Sequence, residues 1–279
     1  MTKRSLIYTA LGLLAVLTLF PLLYMVTNSF MGGAEFGRYY GKLAQELSGR
    51  NPLHMIPEWI MLDGYKEVFI SRPDYLMKFW VSLFLSGSIL AGQMIVAVLG
   101  GYAFARFRFP GRNAIFFAII LLMMLPSQVT LVPNYLVLYS VGLIGNYAAV
   151  ILPGVFSAFG VFLIRQVMAA LPADMFEAAR LDGAGSWRIL WKICLPNCKA
   201  GLAALAILSF ADSWNMVEQP LVFLKDANQY PLSVFLTQVN AMRPEVGFAV
   251  GVLSVAPALL LFLRFKDEMV LGIEYSAVK

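Results

Sequence analysis

Apolar and polar positions along this chain segregate on the scale of whole membrane spans rather than of single helical turns. Lys3 and Arg4 precede an apolar run from Ser5 to Val26. A bilayer span needs about 20 apolar residues, so this run predicts a first transmembrane helix that starts in the cytosol. It is long for the h-region of a secretion signal, which takes about 7–15 residues, and no clear A-x-A site follows it. Residues 28–78 are mixed, with six basic and six acidic residues, and predict an extracytoplasmic loop holding short amphipathic pieces. Phe79–Ala105 is a second uncharged run. It ends in "RFRFPGR", whose Arg106, Arg108 and Arg112 return the chain to the cytosol.

From Asn113 to Ile164 no residue is charged, a run of 52. That length predicts two helices and a hairpin, with the turn at the glycine-rich Ser140–Asn146. Pro126 and Pro133 each remove a backbone donor and predict a kink or break in the first of the two. Arg165 ends the fourth span. Residues 200–223 predict a fifth with a polar end, "ADSWNMVEQP". A short outer loop, "KDANQYPLSVFLTQVNAMRPEV", follows, and residues 247–263 predict a sixth span before Arg264 and Lys266. The expected fold class is therefore an all-α integral membrane protein with six transmembrane helices and both termini cytosolic.

Composition agrees with this pattern. Charged residues are 13% of the chain, against about 25% in ordinary soluble domains. Mean hydropathy is +0.75. The net charge of +5 raises the question of nucleic acid, but the basic residues flank apolar spans, with 13 Lys or Arg in the expected cytosolic segments and 8 outside. That is the positive-inside distribution, and no nucleic-acid partner is expected. Cys194 and Cys198 have no histidine nearby, so no metal site is expected, and a cytosolic position predicts free thiols. The one histidine, His54, lies in the outer loop, where a solvated side chain is the expectation.

One polar stretch interrupts the apolar pattern: "EAARLDGAGSWRILWKICLP", Glu177–Pro196. Pro172 suits a first helical position, and Asp174 and Glu177 put negative charge near the N-terminal end of a short helix. Gly183 fits the left-handed position that closes it, and Ser186 is placed to cap a second helix, "WRILWKIC". The first helix shows Phe176, Ala179 and Arg180 on one face, and the second shows Trp187, Leu190, Trp191 and Cys194. Helices this short are marginal alone and must pack on something. Two roles fit: an interfacial amphipathic connector, or a docking element received in a groove of a soluble partner.

The spacing Glu177-Ala178-Ala179, three residues, Gly183, nine residues, Ile193, one residue, Leu195-Pro196 resembles the EAA loop of ABC-importer permeases at every fixed position. "AFARFRFPGRN", "LPSQVTLVPNY", "FGVFLIRQ", "SWN" with "QPL", and the terminal "GIEYSAVK" are similar to the carbohydrate-uptake, maltose-type branch of that family. The resemblance covers nearly the whole chain after the first loop. It implies a type I ABC importer permease fold in a bacterial cytoplasmic (inner) membrane. It divides the chain into residues 1–78, the first helix and the extracytoplasmic loop, and residues 79–279, a core permease domain with a cytosolic coupling loop at 169–199. It implies that Glu177, Ala178, Ala179, Arg180, Asp182 and Gly183 meet a cytosolic ATPase. The implied partners are a second homologous permease, two ATPase subunits holding ATP and magnesium, an extracytoplasmic solute-binding protein, membrane lipid and a carbohydrate. The outer loops are expected to dock the binding protein, and the "EYSAVK" tail to reach the ATPases. The chain departs from the commoner "WNDFLWPL" of this branch, reading "WNMVEQPL".

No P-loop, H-E-x-x-H or G-x-S-x-G occurs, so this chain is not expected to be an enzyme or to bind a cofactor itself. The rival classes are a secondary transporter, for which Asp212 and Glu218 are the main intramembrane ionisable candidates, and a scaffold without a path. An importer for a glycerol phosphodiester or an amino acid is the alternative within the family. Ser127, Gln128, Thr130, Asp212, Trp214, Asn215, Glu218 and Gln219 are candidates for the translocation path. Polar groups at membrane depth turn away from lipid, sugar hydroxyls want hydrogen-bond partners, and sugar faces stack on rings such as Trp214. The same polarity would equally serve bonds between neighbouring helices.

Overall fold

A computed structural model describes residues 3–40, 54–71, 74–242 and 244–277. Those residues are overwhelmingly helical, and no strand occurs among them. The helices are α1 (Lys3–Asn28), α2 (Gly33–Tyr39), α3 (Asp63–Lys66), α4 (Asp74–Arg106), α5 (Arg112–Met123), α6 (Ser127–Ser140), α7 (Ala148–Val155), α8 (Ala158–Ala169), α9 (Ala173–Leu181), α10 (Ser186–Ile189), α11 (Leu195–Asn197), α12 (Lys199–Trp214), α13 (Glu218–Phe223), α14 (Leu232–Met242) and α15 (Pro244–Ala277). Four stretches have the length and apolar character of a span: Arg4–Asn28, Asp74–Arg106, Ala148–Ala169 and Val246–Glu268. Two bent pairs pass the same test together, Arg112–Met123 with Ser127–Ser140 at 107° and Ser186–Asn197 with Lys199–Trp214 at 78°. Counting each bent pair once gives six, the number expected, although the second pair, Ser186–Trp214, covers only part of the expected fifth span at 200–223 and begins in the polar stretch.

The breaks have local causes. Pro126 is extended (φ −59°, ψ 138°) and directs the chain from α5 into α6, whereas Pro133 sits inside α6 without breaking it. The expected turn at 140–146 forms, with Gly142 and Gly145 at φ +71° and +91°, a backbone region that costs other residues energy. The expected fifth span, 200–223, is divided at Asn215–Val217. Pro220 has no N–H to offer the Met216 carbonyl four residues back, so the helix cannot run through. The Ser233 hydroxyl donates to that carbonyl instead, at 2.5 Å. The outer loop expected after this span contains an eleven-residue helix, α14.

The chain divides into two compact units, Met1–Phe79 with Val234–Pro257, and Trp80–Ser233 with Ala258–Lys279. In the first, Phe248 of α15 gathers Tyr24, Phe36 and Tyr40 at ring-centroid distances of 6.0, 6.3 and 6.3 Å. His54 is not solvated as expected. Its Nε2 lies 2.8 Å from Glu35 Oε1, and its ring stacks on Tyr39 at 3.9 Å. The Glu58 amide donates to the same carboxylate oxygen at 2.7 Å, so the 6%-exposed Glu35 side chain organises the described end of the outer loop. Residues 41–53 lie outside the described residues.

In the second unit α4 packs through small residues, which let helix backbones approach closely. A Cβ on Gly101 would come within 2.9 Å of the Arg165 amide nitrogen, and one on Gly92 would overlap Val155. One buried cluster joins Ala97 and Tyr102 of α4 to Ile164, Met168, Phe176, Leu190 and Cys194. A second joins Leu85 and Ile89 to Leu138, Val150 and Phe223.

Candidate coupling surface and translocation path

The polar stretch folds as two short helices on the first of those clusters. α9 begins one residue later than expected, with Pro172 at its N-cap. Gly183 adopts φ +77° and closes it, the Gly183 and Ala184 amides donating back to Arg180 and Ala179 carbonyls at 3.0 and 2.9 Å. Ser186 is the first residue of α10 rather than its cap, a place taken by Gly185. The following turn, Leu190–Cys194, is π-helical. The expected common face is divided there: Leu190 and Cys194 are buried, while Trp187 and Trp191 are 65% and 63% exposed. Both cysteines are free and buried.

α9 presents two distinct sides. Phe176 and Ala179 point into the cluster, 5% and 9% exposed. Glu177, Ala178, Arg180, Asp182 and Gly183 are exposed. Of the residues expected to meet an ATPase, Ala179 alone faces inward. Its missing side-chain bulk lets α9 sit close on the spans.

Two residues near the C-terminal end of α4 hold this module in place. Arg106 Nη2 donates to the Met168 carbonyl in the last turn of α8 and, at 3.1 Å, to the Leu171 carbonyl two residues beyond that helix. Those carbonyls have no intrahelical partner and carry the negative end of the helix dipole, so a guanidinium there is stabilising. The same guanidinium lies 3.5 Å from the centroid of the Phe176 ring, a cation–π contact. One turn earlier, the Tyr102 hydroxyl donates to the Ser186 carbonyl at 3.1 Å. In the sequence Arg106 reads only as part of a basic cluster that sets topology, and Tyr102 carries no signal at all.

The candidate path residues divide in the same way. Thr130, Asp212 and Gln219 line a cavity of about 180 Å³. Gln93, Asn134 and Ser213 complete its polar wall, and Ile89, Val150 and Phe223 are among its apolar residues. Gln93 Nε2 donates to the Gly154 carbonyl at 2.7 Å. That carbonyl is freed because α7 ends at Val155, ahead of a break closed by Ser157, whose hydroxyl accepts from the Gly160 amide at 3.0 Å. Gln128 Nε2 donates to Glu218 Oε1 at 3.2 Å, both residues exposed. Ser127 opens α6, and its carbonyl accepts from the Thr130 hydroxyl at 2.8 Å. Asn215 bonds the Ala211 carbonyl of its own helix at 2.8 Å, at the C-cap of α12. Trp214, expected to offer its ring to a sugar, is 5% exposed and stacks on Phe210 with centroids 5.4 Å apart. Neither Asn215 nor Trp214 lines the cavity. Gln93 was missed because one glutamine in an apolar span looks like any interhelical hydrogen bond.

The model of the binding-protein-dependent transport system inner membrane component family matches residues 69–267. The arabinooligosaccharides transport system permease protein AraQ of Halalkalibacterium halodurans is 29% identical over 271 residues, covering 95% of this chain and 93% of its own. The sn-glycerol-3-phosphate transport system permease protein UgpE of Yersinia enterocolitica is 39% identical over 158 residues, covering 57% and 56%. A crystal structure of a bacterial ABC transporter involved in the import of the acidic polysaccharide alginate contains a chain with a TM-score of 0.80 at 23% identity. That match covers 96% of this chain and 98% of the other.

Proposed function

Because the chain belongs to the family of inner membrane components of binding-protein-dependent transport systems, we propose that it is one permease subunit of an ATP-driven carbohydrate importer. It pairs with a second, homologous permease, two cytosolic ATPase subunits that bind ATP and magnesium, and an extracytoplasmic solute-binding protein. Both termini lie in the cytosol, and residues 79–279 form the core that carries the path and the coupling loop. ATP hydrolysis belongs to the partners. Binding-protein docking and ATP closure open the helices outward, and hydrolysis resets them.

The observation that carries this reading is the two-sided α9. Its exposed residues, Glu177, Ala178, Arg180, Asp182 and Gly183, are free to meet a partner, while Arg106 ties its buried side to α4 and to the end of α8. A push on the exposed side therefore reaches two membrane helices through direct contacts rather than through a loose loop. The polar cavity of Gln93, Thr130, Asn134, Asp212, Ser213 and Gln219 forms this chain's part of the path, with the bonded Gln128–Glu218 pair on the exposed starts of α6 and α13.

The test is the purified complex in proteoliposomes, with ATPase stimulation by the binding protein screened over oligosaccharides. Stimulation by one oligosaccharide class, lost in Glu177→Lys and Ala178→Trp while the membrane subunits still assemble, supports the reading. Proton-driven uptake by this subunit without ATPases would overturn it. A phosphorylated solute is a second reading, favoured by the identity to the sn-glycerol-3-phosphate permease.

A further inference from the structure

The relatives leave open whether the solute is charged, and the cavity wall bears on that question. This inference rests on the reading of the cavity as part of the translocation path. Its polar wall consists of Gln93, Thr130, Asn134, Ser213, Gln219 and one carboxylate, Asp212. Among the described residues, no Lys, Arg or His lines it. No hydrogen bond or ion pair among the described residues engages the Asp212 carboxylate. A second carboxylate, Glu218, lies on α13 beside the lining residue Gln219, held only by the neutral amide of Gln128. Amides and hydroxyls are both donors and acceptors, matched to sugar hydroxyls. A phosphate or uronate at such a surface would lie beside the Asp212 carboxylate with no cation among the described lining residues to offset it.

From this we propose that the cavity is a charge filter: it admits uncharged saccharides and repels solutes that carry a phosphate or a carboxylate. A sphere of the cavity's volume, about 180 Å³, is roughly 7 Å across, which is inside the ~8 Å Debye length of physiological salt. A solute in the cavity is therefore only partly screened from Asp212, which is itself exposed. At an effective dielectric of about 20, repulsion over that distance disfavours an anion by roughly tenfold or more. The three amides supply hydrogen bonds whose strength does not depend on solute charge.

Thiol labelling in the assembled transporter tests this without knowing the solute. Thr130→Cys places a thiol on the cavity wall, and Gln219→Cys places one independently should the first variant fail to assemble. Each complex is treated with cationic trimethylammonium and anionic sulfonate methanethiosulfonates, with rates normalised to a free thiol. The unsubstituted complex gives the background from the buried Cys194 and Cys198. The filter predicts anionic labelling at least about tenfold slower than cationic, and Asp212→Asn should shrink the difference to about twofold. Equal rates for the two reagents would overturn the charge filter while leaving the path reading intact. A cysteine that no reagent reaches in any nucleotide state would overturn the path reading, and the filter with it.

Discussion

Replacing Arg106 with alanine should uncouple ATP hydrolysis from transport before it prevents assembly. The side chain makes three contacts: two donated hydrogen bonds from Nη2 to the carbonyls of Met168 and Leu171, and the face of Phe176 at 3.5 Å. Hydrogen bonds from a charged donor contribute about 1.5–3 kcal/mol each, and a partly desolvated cation–π contact about 0.5–2 kcal/mol. The two carbonyls lie in and just beyond the last turn of α8, where water can replace part of the loss. The net effect is then about 2–3 kcal/mol, a roughly 30- to 150-fold shift in the docked population of α9. Every residue of the two buried clusters is retained, so the complex should still form. The assay compares basal ATPase with ATPase stimulated by loaded binding protein in proteoliposomes. Basal activity should persist while the stimulated rate and uptake fall at least about tenfold. Arg106→Lys keeps the charge but lacks the planar fork, and should fall between the two. Phe176→Leu removes only the ring face and should cost less than Arg106→Ala. An Arg106→Ala complex with wild-type stimulation and uptake would refute the reasoning.

Gly183→Ala should destabilise the α9–α10 turn by about 1–2 kcal/mol, because the residue sits at φ +77° with open space around a new Cβ. Backbone strain is then the whole cost, and a Gly183→Asn variant, better tolerated in that region, should recover part of the lost melting temperature. In the outer segment the Tyr39 hydroxyl donates to Glu58 at 2.7 Å, and this bond, with Arg38 beside it, holds the Glu58 carboxyl below the usual carboxylate range. A folded-state pKa below the unfolded one stabilises the fold above the unfolded value and loses that contribution as pH falls through the folded value. The charge on the Glu58 side chain, followed by the NMR shift of its carboxyl, should therefore hold from neutral pH into the ordinary glutamate range and drop only below it. Tyr39→Phe should move that drop to higher pH, and an unchanged profile would count against the Tyr39 bond as the cause.

The membrane spans were legible because bilayer thickness translates directly into apolar length, which the chain displays without reference to its fold. The bend at Pro126, the turn at Gly142–Gly145 and the closure of α9 at Gly183 were legible for a related reason. Each follows from the backbone chemistry of one residue, a missing N–H or a missing Cβ. Pro133 shows where that reasoning stops, since it is accommodated within α6. The division of the fifth span depends on Pro220 but also on Ser233, which receives the carbonyl that the proline abandons.

The sequence by itself thus determined the all-helical membrane class, the six spans and the polar coupling stretch, all properties of local composition and spacing. Tertiary structure alone decided which of these residues face one another. It turned Ala179 inward, buried Trp214 against Phe210, paired His54 with Glu35 and brought Gln93 to a carbonyl 61 positions away. It also converted Arg106 from a topology signal into the tie between α4, α8 and α9. Helical periodicity shows that a residue has a face. Only the packing of distant helices shows what that face meets, because the partner is chosen by chain topology and close contact rather than by any neighbour in sequence.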